Sequence, residues 1–242
     1  CPRRPAHLGD LGEREDAFSL LGTSLLWDIH VYVFVRSDLR ERISRFSTAT
    51  RATGIGNILG NKGGAAIGFI IDERTSFAFI TSHLAARATR RHVRQENYED
   101  IVHGLPLVGN AYANNLGLLH AFDHIFWFGD FNYRVEFGNH GNDEEFAMVK
   151  DLVSKSDYAS LLERDQLSDE MRRQRAFVSF QEGLVTFKPT YRWLKGEDEF
   201  SNKKNQNPSY CDRVLWRSAA ALVGKAQQLH YDGSFSLYYS DH

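Results

Sequence analysis

FDHIFWFGDFNYRVE, residues 122–136, is an apolar run that ends at a carboxylate and a carboxamide. Its centre, IFWF at residues 125–128, is typical of a buried strand, and Gly129 ends it. Asp130 and Asn132 follow with one residue between them. Because Gly, Asp and Asn are common where strands turn, a plain turn is one interpretation. A functional site held at the rim of a sheet is the other, and the remaining sequence must distinguish the two.

The composition is that of an ordinary globular protein, with 242 residues of which 42% are hydrophobic and 25% are charged. No repeat or low-complexity linker divides the chain, so we expect a single domain over residues 1–242. The net charge of −2 provides no general basic field for nucleic acid, so any anion site must be local. Cys1 and Cys211 are too few for a disulfide framework and indicate a reducing compartment.

The hydrophobic pattern predicts many strands with helices between them. LLWDIHVYVFV at residues 25–35 predicts one strand, and GFIIDERTSFAFITSHL predicts a hairpin that turns at residues 72–75. Residues 87–104 have helical spacing, and Asn142 with Glu145 resembles a capping box that starts another helix. Further short strands are predicted at residues 184–193, 211–218 and 234–240. Two packed sheets flanked by helices would accommodate these elements.

Polar side chains stand at the ends of four of these apolar segments. They are Ser82 and His83 after FAFIT, Asp130 and Asn132 after HIFWFG, Asp212 and Arg213 before VLW, and Ser240, Asp241 and His242 after SLYY. Each group alone is more often structural than functional. Four groups from strands scattered along the chain indicate a common rim on which the polar side chains converge.

Hydrolysis of a phosphoester by water suits such a set. A carboxylate takes the proton of the attacking water, an amide holds that carboxylate, and a histidine and a divalent cation stabilise charge on phosphorus. His242 would need an orienting carboxylate, and Asp212 is the candidate.

Two other motifs resemble sites for different chemistry, and neither fits that chemistry in full. GIGNILGNKGG at residues 54–64 matches neither nucleotide-binding glycine pattern, which leaves a tight loop with Lys62 available to an anion. Cys211, Arg217 and Ser218 satisfy the spacing of cysteine-dependent phosphatases. The intervening residues contain the apolar segment VLW, typical of a buried strand, whereas that chemistry needs a small-residue loop around the phosphate. We therefore predict that Cys211 is not a nucleophile.

The motifs resemble those of the inositol polyphosphate 5-phosphatases. FWFGDFNYR and NPSYCDRVLW are similar to the two signature motifs of that family, and GNKGGAAIGF, TSHLAA, FKPTYRW and the terminal SDH follow its order. The similarity runs from about residue 20 to residue 242. It implies an α+β fold of the deoxyribonuclease I-like group, a four-layer α/β/β/α sandwich of two mainly antiparallel sheets flanked by helices, with the site at one rim. It also implies that the first strands of such a domain precede residue 1.

The resemblance implies roles for the rim residues. Asp130 corresponds to the residue that activates water, and Asn132 lies beside it on the scissile phosphate. His83 corresponds to a donor to that phosphate, and Asp212 to the partner of His242. The resemblance further implies Mg²⁺ as cofactor, with Asp241 beside the metal.

Other positions are implied to bind substrate. Tyr191, Arg192 and Lys204 correspond to contacts with the ring phosphate next to the one removed, and Lys62 to a contact on the lipid-linked side. Arg134 and Arg213 match motif arginines whose role is either structural pairing or substrate contact.

The chain departs from the family pattern in two places. A metal-binding glutamate and an asparagine that the family carries on earlier strands have no counterpart here. Gln206 stands where the family usually has a basic residue. We therefore expect weak or no turnover from residues 1–242 alone, and a weakened grip on the neighbouring phosphate.

The sequence thus predicts a Mg²⁺-dependent phosphatase that removes the 5-phosphate of phosphoinositides or soluble inositol polyphosphates. We expect a cytoplasmic monomer that contacts membranes peripherally and does not bind nucleic acid. One alternative is a catalytically impaired phosphoinositide-binding module. The other is a nuclease-type phosphodiesterase of the same superfamily, which would want a basic groove that the charge balance does not indicate.

Overall fold

The chain forms strands where apolar side chains run or alternate and helices where they recur every three to four residues. The structure is a computed structural model that describes residues 17–53, 61–109, 117–138, 141–235 and 239–242. The strands in these ranges are β1 (Phe18–Leu26), β2 (Ile29–Arg36), β3 (Ile43–Ala52), β4 (Gly63–Ile71), β5 (Thr75–His83), β6 (His124–Asp130), β7 (Gln181–Glu182) and β8 (Asp212–Ser218). The α-helices are α1 (Arg91–Gly104), α2 (Asp143–Ser154), α3 (Tyr158–Glu163) and α4 (Gln166–Arg172). None of these described helices has the length and apolar character needed to cross a membrane.

A six-stranded sheet forms the centre of the molecule, in the order β3-β4-β5-β6-β8-β7. Its neighbours run antiparallel except β5 and β6, which run parallel. Parallel strands end at the same edge of a sheet, and an antiparallel neighbour begins there. The ends of β5 and β6 and the beginning of β8 therefore meet at one edge.

The hairpin of β1 and β2 packs on one face of this sheet. Alternation along β2 buries Ile29, Val31, Val33 and Val35, which cluster with Ala65, Ile67 and Phe69 of β4. The outward-facing Tyr32 and Phe34 are 53% and 60% exposed, so the described residues leave the outer face of the hairpin open.

Helices cover the opposite face of the six-stranded sheet. Tyr98 and Ile101 of α1 and Leu167 of α4 share a buried cluster with Ile80 of β5 and Trp127 of β6. The buried indole N–H of Trp127 donates to Ser82 Oγ at 3.0 Å, so this core position leaves no donor unpaired. The predicted α+β fold, with two packed sheets and flanking helices, is confirmed.

Several predicted elements are confirmed in detail. The hairpin turns between Ile71 and Thr75, and the strand predicted near residue 211 is β8. Helix α2 starts at the predicted cap, where Asn142 Oδ1 accepts from the N–H of Glu145 at 2.9 Å. The Glu145 carboxylate reaches back to the N–H of Gly141, one residue before the cap itself.

Two strand predictions were wrong, and one lies partly outside the described residues. Residues 25–35 form the end of β1, a turn and most of β2, because Trp27 takes a left-handed conformation (φ 51°) and reverses the chain. Residues 184–193 contribute only isolated bridges at Tyr191 and Trp193, in a segment that Pro189 excludes from a regular ladder. Residues 236–238 of the last predicted strand are outside the described ranges.

Candidate active site

Strand register brings three predicted residues to one rim of the six-stranded sheet. His83 pairs with Asp130 across the parallel β5–β6 ladder, and Asp130 pairs with Asp212 across the antiparallel β6–β8 ladder. Neighbouring strands lie about 4.8 Å apart, so the three backbones form a short row. Residues far apart in sequence are adjacent here because strands, rather than loops, position them.

Asp130 is held by two hydrogen bonds from Asn132 and by a contact with His83. Its Oδ1 accepts from the backbone N–H of Asn132 at 2.9 Å, and its Oδ2 accepts from Asn132 Nδ2 at 2.9 Å. His83 Nε2 lies 3.0 Å from the same Oδ2. Asn132 makes both of its contacts because its backbone is left-handed, with φ 57°, a conformation that asparagine tolerates better than most residues. The carboxylate therefore has one fixed orientation.

The environment of Asp130 favours its ionised form. Burial alone would raise the pKa of this carboxyl, but the hydrogen bond and charge of His83, with the charges of His242 and Arg134, outweigh burial and hold the pKa below its usual value. Asp130 is thus a carboxylate at neutral pH, as a proton acceptor must be.

A second His–Asp pair lies beside the first. His242 Nδ1 is 2.8 Å from Asp212 Oδ2, and that oxygen also accepts from Thr190 Oγ1 at 2.8 Å. Burial lowers the pKa of His242, but the hydrogen bond and charge of Asp212 outweigh it and raise the pKa above its usual value. The ring of Tyr191 packs 4.6 Å from the His242 ring between centroids. The predicted Asp212–His242 pair is therefore formed.

Arg134 links Asn132 to the far wall of the site. Its guanidinium donates to Asn132 Oδ1, to the Asn132 carbonyl at 3.1 Å and to Gln206 Oε1 at 2.8 Å. It also stacks over the ring of Tyr191, with 4.5 Å from Cζ to the ring centroid. Both ends of the Asn132 amide are thus engaged, one by Asp130 and one by Arg134.

These residues open onto a pocket of about 310 Å³. Nine of the twelve predicted site residues line it: His83, Asp130, Asn132, Arg134, Tyr191, Arg192, Lys204, Asp241 and His242. Four arginine or lysine side chains line the pocket (Arg87, Arg134, Arg192 and Lys204), against two carboxylates. A chain with net charge −2 therefore has a local excess of positive charge at this pocket, as the sequence required of any anion site.

Two predicted residues contact the pocket residues without lining the pocket. Asp212 supports His242, as described above. Lys62 Nζ lies 2.7 Å from His83 Nε2, and burial lowers the pKa of this lysine, partly offset by the charge of Asp130. The predicted contact of Lys62 with a lipid-side phosphate stays a prediction.

Arg213 does not belong to the site. Its side chain is 1% exposed and is paired with Asp165 at 2.9 Å and with Glu182 at 2.5 Å. Of the two roles that the sequence left open for this residue, structural pairing is the one the structure shows, because the guanidinium is enclosed by carboxylates. Its prediction as a substrate contact was wrong.

The described residues do not assemble a metal site. No group of three or more His, Cys, Asp or Glu side chains within the described ranges is arranged to hold a metal ion. Asp241, the predicted metal neighbour, instead pairs with Arg192 at 3.0 Å between Oδ2 and Nη2. The carboxylates available here do not by themselves provide the several oxygen ligands that Mg²⁺ requires.

Cys211 is enclosed in the core. It is fully buried, its Sγ lies 3.6 Å from the carbonyl oxygen of Tyr133, and burial raises the pKa of its thiol well above the usual value. A nucleophilic cysteine needs an exposed thiolate, so this environment supports the prediction that Cys211 does not act as one.

Sequence reasoning missed two residues of the site. Thr190 supports Asp212 and lies within the motif FKPTYRW, but nothing in that motif distinguishes it from a structural threonine. Arg87 lines the pocket directly after TSHLAA, in a loop whose neighbours are alanines. Its left-handed backbone (φ 81°) leaves no mark in the sequence.

Comparison with known proteins gives sequence relatives that are phosphoinositide phosphatases. The chain is 34% identical over 233 residues to human phosphatidylinositol 3,4,5-trisphosphate 5-phosphatase 1, and the aligned region covers 93% of this chain and 19% of that protein. It is 36% identical over 201 residues to human phosphatidylinositol 3,4,5-trisphosphate 5-phosphatase 2, and the aligned region covers 80% of this chain and 15% of that protein. The chain thus spans a fifth or less of the length of these relatives.

A solved structure has the same fold. The inositol polyphosphate 5-phosphatase domain of SPsynaptojanin, in complex with inositol (1,4)-bisphosphate and calcium ion, superposes with a TM-score of 0.77 at 31% identity, covering 93% of this chain and 60% of that one. The family model of endonuclease/exonuclease/phosphatase family 2 matches residues 6–242. Since this match takes in both strand-end His–Asp pairs and nearly the whole sequence, the chain belongs to endonuclease/exonuclease/phosphatase family 2.

Proposed function

We propose that this chain hydrolyses the 5-phosphate of an inositol phosphate, carried by a lipid or free in solution. The observation that carries the proposal is the strand register that sets His83, Asp130 and Asp212 in one row beside a pocket lined by four cationic side chains. The named relatives act on phosphatidylinositol 3,4,5-trisphosphate, and the SPsynaptojanin domain binds an inositol bisphosphate, which supports this class of substrate.

In the proposed reaction, Asp130 accepts the proton of the attacking water. The carboxylate is ionised and oriented before substrate arrives, because Asn132 and His83 hold both of its oxygens. Asn132 would act mainly by orienting Asp130, since its amide is already engaged at both ends. General-base catalysis by such a group typically contributes about 10²–10⁴-fold to the rate.

We propose that His242 stabilises the negative charge that develops on the phosphate during the reaction. Asp212 and Thr190 fix the tautomer and direction of its ring, as a carboxylate does in other His–Asp pairs. Arg192, Lys204 and Tyr191 line the pocket and are proposed to bind a ring phosphate next to the scissile one.

Mg²⁺ is the proposed cofactor, supported by the calcium ion in the SPsynaptojanin complex. Among the described residues only Asp241 is proposed to approach it, and the ion pair with Arg192 would have to open first. For this reason we assign no reaction step to the metal. We propose further that the protein is monomeric and acts at the cytoplasmic surface of membranes.

One observation favours a second candidate, a module that binds inositol phosphates without turning them over. The described residues provide the cationic pocket but no three-ligand metal cluster. Binding would then survive while hydrolysis is weak.

The test is phosphate release by residues 1–242 from a panel of phosphoinositides and soluble inositol polyphosphates, with Mg²⁺ or with EDTA. Metal-dependent release specific to the 5-phosphate would support the phosphatase. Calorimetric binding without release would support the binding module. Neither binding nor release for any member of the panel would overturn both.

A further inference from the structure

A band of arginines leads from the mouth of the pocket across the adjoining surface. We call it the arginine ridge; its members are Arg87, Arg90, Arg91, Arg172, Arg173 and Arg175. Arg87 lines the pocket, and Arg90 follows it after one turn, in which the N–H of Arg90 donates to the Arg87 carbonyl at 3.2 Å. The side chains of Arg172 and Arg173 are 64% and 60% exposed. The ridge is therefore available to a partner that approaches the pocket.

A buried arginine holds the loop that presents Arg87. Arg94 is fully buried and donates to the carbonyls of Ala85 at 3.0 Å, Arg87 at 2.7 Å and Ala88 at 3.3 Å. Gln166 Nε2 also donates to the Ala88 carbonyl, at 3.1 Å. Because the loop turns its carbonyl oxygens inward to these donors, its backbone has one position relative to the pocket, and exposed Arg87 and Arg90 stand on a fixed base.

Ion pairs join the two segments of the ridge. Arg91, at the start of α1, donates to both Asp169 and Glu170 of α4. Asp169 also pairs with Arg173 at 2.9 Å, and Glu170 with Arg175 at 2.9 Å. The two carboxylates thus gather arginines from both elements into one surface.

The ridge carries more positive charge than its own ion pairs neutralise. The six arginines stand beside two carboxylates, Asp169 and Glu170, which bind four of them, so the ridge has an excess of 6 − 2 = 4 charges on a chain whose net charge is −2. Within the described part of the chain, Arg87 and Arg90 have no side-chain ion pair. These two arginines therefore take no part in the ion pairs that join α1 and α4.

We propose that the arginine ridge docks on the anionic phospholipid surface of a membrane and so places the pocket against it. This inference rests on the proposed function in its lipid form, since a pocket that takes a lipid headgroup must lie at the bilayer surface. Arginine and lysine near an anionic leaflet each contribute about fivefold to membrane binding, and the effect falls off within a Debye length.

A nucleic acid is the less favoured partner. Proteins that hold single strands combine basic grooves with exposed aromatic rings on which bases stack. The aromatic residues next to the ridge, Phe177 and Phe180, are buried in the core, and the net charge of the chain opposes a long polyanion. Anionic lipid needs neither stacking nor a groove.

The test is sedimentation of residues 1–242 with phosphatidylcholine vesicles, with and without phosphatidylserine and without any phosphoinositide. The lipid mixture leaves the pocket without its proposed substrate, so the ridge is measured alone. We expect binding to the phosphatidylserine vesicles that weakens as salt is raised. Arg90→Glu with Arg173→Glu should lower the affinity at least about 25-fold. Arg90→Lys with Arg173→Lys should keep most of it, which also shows that these positions tolerate change.

The matched control is Arg74→Glu with Lys225→Glu, an equal change of charge on exposed positions. Arg74 lies in the β4–β5 turn, at the opposite end of β5 from His83, and Lys225 follows the opposite end of β8 from Asp212. Unchanged vesicle binding in the ridge variant, or an equal loss in the control, would overturn the proposal. So would a ridge variant that loses affinity for single-stranded RNA and keeps its affinity for vesicles.

The result is separable from the fate of the proposed function. Neither Arg90 nor Arg173 lines the pocket, so phosphate release from a soluble inositol phosphate should be the same in the ridge variant and the unmodified chain. A chain that releases no phosphate at all still reports vesicle binding. Failure of the hydrolysis and failure of the docking are therefore distinct outcomes.

Discussion

The two ends of the central strands carry similar residues and differ in what those residues do. At the rim, His83 and Asp130 line a pocket and Asp212 supports His242, which also lines it. At the other end, Asp123 and His124 stand at the beginning of β6, with Ser76 near the start of β5. Both ends thus hold aspartate and histidine at strand termini, the pattern from which the site was predicted.

At the far end of the strands, the polar side chains are satisfied by hydrogen bonds to neighbouring serines. Asp123 Oδ2 accepts from the N–H and the Oγ of Ser76, both at 2.8 Å, and His124 Nδ1 lies 2.9 Å from Ser218 Oγ. Each polar group there has a neutral neighbour, and none of these residues lines the pocket. At the rim, by contrast, the carboxylates are held by histidines and by an asparagine that is itself tied to Arg134. The two ends therefore differ in that the rim aspartates have histidine partners and adjoin an open pocket, whereas Asp123 is paired with a serine.

The largest expected effect comes from replacing one carboxylate by an amide at each end of the central strands. Asp130→Asn should lower turnover of the inositol phosphate substrate by about 10²–10⁴-fold, because the proton acceptor is lost while the size and shape of the side chain are kept. Asp123→Asn should leave turnover unchanged. Steady-state phosphate release under the same metal concentration measures both. Retention of more than about a tenth of the rate in Asp130→Asn would remove this residue from the base role.

The next effect separates the two motif arginines. Arg213→Gln should lower the free energy of unfolding by about 3–5 kcal/mol, because it leaves Asp165 and Glu182 buried without their cation. Arg134→Gln should instead weaken binding of the phosphorylated ligand, since Arg134 lines the pocket. Urea denaturation and calorimetric titration distinguish them. An Arg213→Gln protein of unchanged stability but reduced ligand affinity would contradict the structural role.

A smaller effect is expected at Gln206, which lines the pocket and accepts from Arg134 at 2.8 Å. Gln206→Arg replaces a neutral amide by a cation and should raise kcat/KM by up to about tenfold for substrates that carry the adjacent 4-phosphate. It should do little for a substrate without that group. Gln206→Glu, which keeps an acceptor for Arg134, is the control and should lower the same ratio. Equal gains on both substrates would indicate general electrostatic steering.

The smallest effect on turnover is expected from Cys211→Ser. The thiol is buried and its pKa is raised, so the serine variant should keep most of the rate and lose only some stability through its buried hydroxyl. Thermal denaturation and phosphate release measure the two quantities. A folded Cys211→Ser protein without activity would reinstate the cysteine mechanism.

The rim residues were predictable because strands place them and strand patterns are strong. The apolar run before Asp130 and the run before His83 predicted that both strands end there, whereas the parallel register that sets these two ends side by side was not predicted. The first hairpin was missed because β1 and β2 are both rich in apolar and β-branched residues, and Trp27 does not look like a turn residue.

The roles of the arginines and of Asp241 were less predictable. Arg134 and Arg213 stand in similar strand-end motifs and are both buried, and only the positions of Asp165 and Glu182, distant in sequence, decide which of them is paired with carboxylates. The pairing of Asp241 with Arg192 likewise depends on a segment that has no regular secondary structure. Charge and spacing along the chain do not contain this information.

The left-handed backbone of Asn132 makes the one-residue spacing between Asp130 and Asn132 a constraint on how this sequence can change in evolution. Its main-chain N–H and its side-chain amide reach opposite oxygens of one carboxylate only because a single residue, Phe131, separates it from Asp130. Phe131 is itself locked, being fully buried and donating its N–H to the Cys211 carbonyl at 2.8 Å. An insertion or deletion of one residue here would point the amide away from the carboxylate and would also displace Phe131 from its hydrogen bond to Cys211, just beyond the last pair of the β6–β8 ladder. Searches for more distant relatives should therefore penalise a gap between these two positions far more heavily than a substitution on either side.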